Sequence, residues 1–248
     1  MRQPWLWVAC CCAVLTACSG SIPTRPSPPP TLSRTRFLAF GDSITAGEIT
    51  VPVGVIPDGR GSLLQTPNTR MVLVPAASYP TQLLSLLQGR YSTQASTIVV
   101  TNAGRGGESV LEGVTRFPDE LASSQAEVAL LMEGVNGLNL VGPDTSTEVM
   151  RDMVQVAKAR GVRVFLAAML PTIVGRQRSR VPAELVAYNT KLQQMSSEEG
   201  VAFVDLYNVL LPEATTVIGV DGLHPTEVGY KRIADVFFAA IQTNLEVK

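Results

Sequence analysis

Histidine occurs once in this chain, as His224. Cysteine occurs four times, but Cys10, Cys11, Cys12 and Cys18 all fall near the N-terminus. Beyond Cys18 the chain therefore has no means of making a disulfide, a thiolate metal site or a cysteine nucleophile. With a single imidazole besides, a zinc site would have to be built almost entirely from carboxylates, so no metal and no cofactor is expected. Net charge is scarce as well: 20 Lys and Arg against 21 Asp and Glu leave −1. That balance gives no reason to expect nucleic acid as a partner.

What is present begins with a leader. Arg2 precedes an apolar run from Trp5 to Leu15, which at about eleven residues is too short to span a bilayer as a helix. Leu15-Thr16-Ala17-Cys18 follows, then Ser19 and Gly20. Small residues before a cleavage point mark a signal peptide, and a Cys directly after them resembles a bacterial lipobox. An ordinary secretory signal with a chance cysteine is the alternative. The resemblance implies removal of residues 1–17 and lipidation of Cys18. Ser19 resembles an outer-membrane sorting signal, so the expected location is the cell envelope, lipid-anchored at the outer membrane or periplasmic face. Pro23, Pro26, Pro28, Pro29 and Pro30 among Ser, Thr and Arg read as an extended tether over 18–35. The folded domain is expected over 36–248, a length that suits one α/β domain with a sizeable core.

In that domain apolar runs alternate with helical patterns. Strands are predicted at Arg36–Phe40, Thr97–Thr101, Glu127–Met132, Val162–Met169 and Val201–Leu206. Helices are predicted at Ser78–Gln88, Arg116–Ser124, Asp144–Arg160, Pro182–Glu199 and Pro225–Leu245. Five apolar strands alternating with helices predict a parallel sheet covered on both faces, with reactive groups at the carboxyl ends of the strands. Glu48–Ala77 reads as a long irregular insertion, either functional or a tolerated surface loop. Arg176, Arg178 and Arg180 read as a solvated loop, with a site for an anionic substrate as the alternative.

Four segments carry chemistry. Gly41-Asp42-Ser43-Ile44-Thr45 follows the first strand through a tight turn that lifts the Ser43 hydroxyl into the open. A serine hydroxyl needs a base to take its proton, and the base has to be His224. Asp221 stands three residues before it, close enough for its carboxylate to fix the imidazole tautomer; capping the last helix is its alternative role. Asn102-Ala103-Gly104-Arg105-Gly106-Gly107 follows the next strand with exposed N–H groups. Gly134-Val135-Asn136-Gly137 follows the one after and offers a side-chain amide. Both are candidate donors to an oxyanion.

Taken together these blocks resemble the SGNH, or GDSL-type, hydrolase family. The resemblance runs from about Phe37 to Ile241. It implies a flavodoxin-like three-layer α/β/α sandwich with a five-stranded parallel sheet. By its pattern Ser43 is the nucleophile and Asp221 and His224 complete a triad. The oxyanion hole is formed by the Ser43 N–H, a glycine N–H and Asn136. Gly107 aligns best with that glycine, and Gly104 is the other candidate. The implied activity is a serine esterase of carboxylesterase or acetylesterase type acting on a small-molecule or glycan ester. An envelope acyltransferase or a non-catalytic glycan-binding lipoprotein on the same fold is the alternative. The chain departs from the pattern at Gly137, where the family usually has an acidic residue beside the asparagine. Leu63, Leu64, Val72, Leu73 and Val74 in the insertion either line an acyl pocket or anchor the loop. No Gly-x-Ser-x-Gly elbow occurs, since Gly107-Glu108-Ser109 runs into Val110 and Leu111, which disfavours an α/β-hydrolase proper.

Overall fold

A computed structural model describes residues 28–57 and 63–247. The leader, Cys18 and most of the expected tether lie outside them. The first described element is β1 (Thr31–Leu32), followed by β2 (Arg36–Gly41), the single turn α1 (Ser43–Ala46), β3 (Glu48–Pro57), β4 (Leu63–Leu73), α2 (Tyr79–Arg90), β5 (Val99–Gly104) and α3 (Val110–Ser124). Then come β6 (Val128–Met132), α4 (Leu138–Ala159), β7 (Arg163–Ala167), α5 (Pro182–Glu199), β8 (Ala202–Val204), the short helices α6 (Leu206–Leu210) and α7 (Ala214–Val217), α8 (Glu227–Leu245) and β9 (Glu246–Val247).

The five predicted strands form one sheet in the order β5-β2-β6-β7-β8, parallel throughout. Its central strands are buried on both faces: Val128 to Met132 in β6 and Val164 to Ala167 in β7 are almost wholly inaccessible. A parallel strand covered by helices on each side has no polar face to alternate with, hence the unbroken apolar runs. α2 and α8 pack together, with Tyr79 stacked on Phe237 at 5.1 Å between ring centroids. α3, α4 and α5 pack in succession, and Phe117 of α3 meets Phe40 of β2 edge-on at 4.9 Å.

Several boundaries differ from expectation, each for a local reason. α3 begins at Val110, not Arg116, because Ser109 and Glu112 cap it: the Ser109 N–H and Oγ–H both donate to Glu112 Oε2, at 2.9 and 2.8 Å. α4 begins at Leu138, with a non-helical Gly142 before Pro143 that breaks the helix. β8 ends at Val204 because Asp205 caps α6, accepting from the Asn208 N–H. The Glu48–Ala77 insertion is not irregular: β3 and β4 pair as an antiparallel hairpin, with register shifts at Pro52/Gly54 and Val55/Pro57. β1, inside the stretch expected as tether, pairs antiparallel with β9, so ordered chain starts before Arg34. Among the described residues no helix is long and apolar enough to cross a membrane.

The strand order places the first strand, β2, between β5 and β6, so successive connections leave the sheet on opposite sides of it. That is the switch point at which open α/β sheets form a crevice. α1 sits directly on this edge because two glycines make room. A Cβ on Gly41 would collide with the Met132 carbonyl and the Thr45 hydroxyl, and one on Gly104 with the backbone of Ala46. Gly104→Ala is therefore expected to destabilise the fold by about 1–3 kcal/mol through overpacking, measured by urea unfolding against the parent.

Candidate active site

The edge above β2 gathers residues from four turns. Ser43 is the first residue of α1, and Asp42 fixes that turn by accepting the Ile44 N–H on Oδ1 at 2.9 Å. His224 arrives from the loop before α8. Its Nε2 lies 2.9 Å from Ser43 Oγ, across 181 residues of chain. Its Nδ1 lies 2.6 Å from Asp221 Oδ2. Serine, imidazole and carboxylate thus form one hydrogen-bonded line, all nearly inaccessible to solvent.

Asp221 does not cap α8; Thr226 does that, accepting from the Gly229 N–H. The Asp221 Oδ1 instead accepts the backbone N–H groups of Leu223 and His224, both at 3.0 Å. Burial by itself would raise this carboxyl. Hydrogen bonds from the His224 ring and the Leu223 N–H, with the imidazole's charge, outweigh it and hold the group below its ordinary value. Gly222 allows the turn: its φ is +84°, and a side chain there would run into Ile173 and Arg176.

Of the two glycines aligned with an oxyanion donor, Gly104 donates its N–H to Asn102 Oδ1 at 2.9 Å and is packed against α1. Gly107 has φ +75° and open space where a side chain would stand. Asn136 lies on the next turn, its Nδ2 donating to the Glu108 carbonyl at 2.9 Å and its Oδ1 accepting from Arg180 Nη2 at 3.2 Å. Glu108 is itself pinned, because its buried carboxylate pairs with Arg116. The Arg116 guanidinium lies 4.2 Å over the Phe40 ring and donates to the Ala103 carbonyl. Gly137 has no space for the acidic residue usual in the family: a Cβ there would press on Val110 at 2.9 Å.

Four side chains at this edge carried no clear signal in the sequence. Asp42 is fully enclosed, and burial, against the Ile44 N–H and the nearby charges of His224 and Arg180, pushes its carboxyl up to about 6. Glu133 is raised well above the ordinary carboxylate range by burial and then by the charge of Asp42. Its Oε1 accepts the Gly134 N–H at 2.8 Å. Arg176 is exposed, as the reading of its segment as a solvated loop has it, but Arg178 and Arg180 depart from that reading: Arg178 Nε is 3.8 Å from Asp221 Oδ2, and Arg180 faces the 135–136 turn. Neither carboxyl could be singled out beforehand, since each sits in a turn or at a strand end where acidic residues are common. Three arginines in five residues were visible, but not their direction.

The chain is similar to known proteins in sequence and in fold. The GDSL-like Lipase/Acylhydrolase family matches residues 39–232. The chain belongs to that family. Esterase TesA of Pseudomonas aeruginosa is 25% identical over 154 residues, 61% of this chain and 74% of its own. A lipase/acylhydrolase from Enterococcus faecalis superposes with a TM-score of 0.67 at 20% identity, covering 86% of this chain and 98% of its own. An acetyl xylan esterase, AlAXEase, superposes at 0.62 with 18% identity, covering 82% and 98%. The family and fold make this chain a hydrolase acting on esters.

Asp42 gives a pH prediction. A carboxyl raised in the folded state favours folding below the unfolded pKa, near 4, and that contribution is lost as pH rises through about 6. Asp42→Asn keeps an oxygen for the Ile44 N–H but cannot ionise. Urea unfolding from pH 4 to 7 is expected to show the parent losing roughly 1–3 kcal/mol relative to this variant.

Proposed function

We propose that the chain hydrolyses carboxylic esters through an acyl-enzyme on Ser43. The observation that carries this reading is the line Ser43 Oγ, His224 Nε2, His224 Nδ1, Asp221 Oδ2, with steps of 2.9 and 2.6 Å. With Asp221 ionised, the imidazole keeps its proton on Nδ1 and offers Nε2 as the base. Ser43 Oγ attacks the ester carbonyl and its proton passes to Nε2. The carbonyl oxygen becomes an oxyanion, and the N–H groups of Ser43 and Gly107 and the Asn136 amide are the donors assigned to it. Collapse breaks the bond to the leaving alcohol, which takes the proton from Nε2. Water then repeats the sequence on the acyl-serine, releasing the acid and restoring Ser43.

Two of the relatives above bear names of lipase/acylhydrolase and acetyl xylan esterase. They support a small-molecule or glycan ester as the substrate class. The same reading places the enzyme on the envelope by a lipid on Cys18, supported by Leu15-Thr16-Ala17-Cys18 and the proline-rich stretch after it. Radiolabelled fatty acid fed to expressing bacteria is expected to label the parent and not Cys18→Ala; equal labelling would remove the anchor.

Ser43→Ala is expected to abolish both turnover of a short-chain nitrophenyl ester and labelling by a fluorophosphonate, with the melting temperature preserved. Persisting turnover would overturn the assignment. Asn136→Ala is expected to lower kcat by about 10²–10³-fold, and Asp221→Asn by about 10⁴-fold through the wrong tautomer, in steady-state assays with the same ester.

A further inference from the structure

We propose that the segment 172–180 is a strap joining the two halves of the site, and that Arg180 is a positioning residue orienting the Asn136 amide; this rests on the ester-hydrolase reading. The strap is bonded to the acid–base turn at three points. Ile173 N–H and Thr172 Oγ1–H donate to the Gly222 carbonyl, at 3.0 and 2.7 Å, and Arg178 N–H donates to the Asp221 carbonyl at 2.8 Å. It is bonded to the oxyanion-side turn through one side chain. Arg180 Nε donates to the Val135 carbonyl and Nη2 to Asn136 Oδ1, both at 3.2 Å.

The guanidinium is itself held. Arg180 N–H donates to Thr172 Oγ1 at 3.0 Å, and Nη1 donates to the Arg178 carbonyl at 2.8 Å. Its planar fork therefore spans Arg178, Val135 and Asn136 at once, which a single ammonium cannot reproduce. A primary amide has two chemically different ends, and a hole needs the donor end. Arg180 carries only donors, so the end facing it has to be Oδ1. The Glu108 carbonyl is an acceptor, so the end facing it has to be Nδ2. The two contacts together fix the flip of Asn136 and leave its second Nδ2 hydrogen for the substrate oxygen. Gly137 cannot do this work, having neither a side chain nor space for one. The strap thus supplies support where the usual acidic neighbour is missing.

The test compares Arg180→Met, Arg180→Lys, Asn136→Ala and the Asn136→Ala/Arg180→Met double variant with the parent, on a short-chain nitrophenyl ester. Arg180→Met is expected to lower kcat by about 100-fold, the scale of a misplaced catalytic group, with KM within about twofold. Arg180→Lys is expected to recover little of it. The double variant is expected to be no slower than Asn136→Ala, because both changes remove one function. Multiplying losses, a loss confined to KM, or full recovery by lysine would overturn the proposal. If Arg180→Met does not fold, Arg180→Lys carries the comparison. Should the parent show no Ser43-dependent turnover, the esterase reading fails, and positioning is read separately from the Asn136 side-chain amide protons by NMR. Faster exchange of those protons in Arg180→Lys supports the strap, and unchanged exchange overturns it.

Discussion

The 2.9 Å contact between Ser43 Oγ and His224 Nε2 joins a hydroxyl and an imidazole from opposite ends of the domain, which share one proton under the proposed mechanism, and the rest of the molecule is arranged around it. Neither group is competent alone, since a serine hydroxyl is a weak nucleophile until a base is within reach. The sheet supplies that reach. Because β2 lies between β5 and β6, the turns after these three strands open side by side, and the loop before α8 closes over them. Glycines at 41 and 104 let α1 rest on the sheet with no intervening side chain. Gly222 lets the Asp221–His224 turn come down against the strap.

Burial then governs the electrostatics. Asp42, Glu108, Glu133 and Asp221 are all enclosed close to the nucleophile. Under the proposed mechanism, four carboxylates around an oxygen that becomes negative would oppose catalysis. The fold treats them differently. Glu108 is neutralised by Arg116, and Asp221 is kept ionised by its hydrogen bonds. Asp42 and Glu133 are raised by burial. Arg178 and Arg180 bring positive charge to the side where Asp221 and Asn136 stand. Burial thus raises two of the acids, hydrogen bonds lower Asp221, and Asp221 is the one whose carboxylate meets the imidazole.

The hairpin leaves the edge immediately after α1. Its start is bound to the last helix by the Tyr230 hydroxyl donating to the Glu48 carbonyl at 2.6 Å. Its returning strand is bound to the strap, where Gln177 Oε1 accepts from the Thr69 N–H and hydroxyl at 3.0 and 2.6 Å. The insertion is thus fixed at its start to the last helix and at its return to the 172–180 segment. Its strand character was hidden because Pro52, Gly54 and Pro57 interrupt one run and Pro67 the other, and a two-stranded ribbon tolerates them at its register shifts and open edges. Val53 and Leu73 remain exposed on it.

The five sheet strands, the long helices, the family resemblance and the order of the four motifs were all written in local pattern. Period, turn residues and spacing are properties of neighbouring positions. Ser43, Asp221 and His224 could be named because residue type and a three-residue interval restrict the choices severely, above all with one histidine in the chain. The start of α3 was also legible, in the Ser109–Glu112 spacing, though the pattern of apolar residues alone placed it later. Other features had no local code. Whether Gly104 or Gly107 has open space beside it depends on what packs against each. Whether Arg180 meets water or Asn136 depends on a turn some forty residues earlier, and the protonation of Asp42 and Glu133 on how completely other segments exclude solvent. Sequence determined which groups were available and which elements carried them; only the packed structure decided their directions, their partners and their charge, because those are set by atoms far away along the chain.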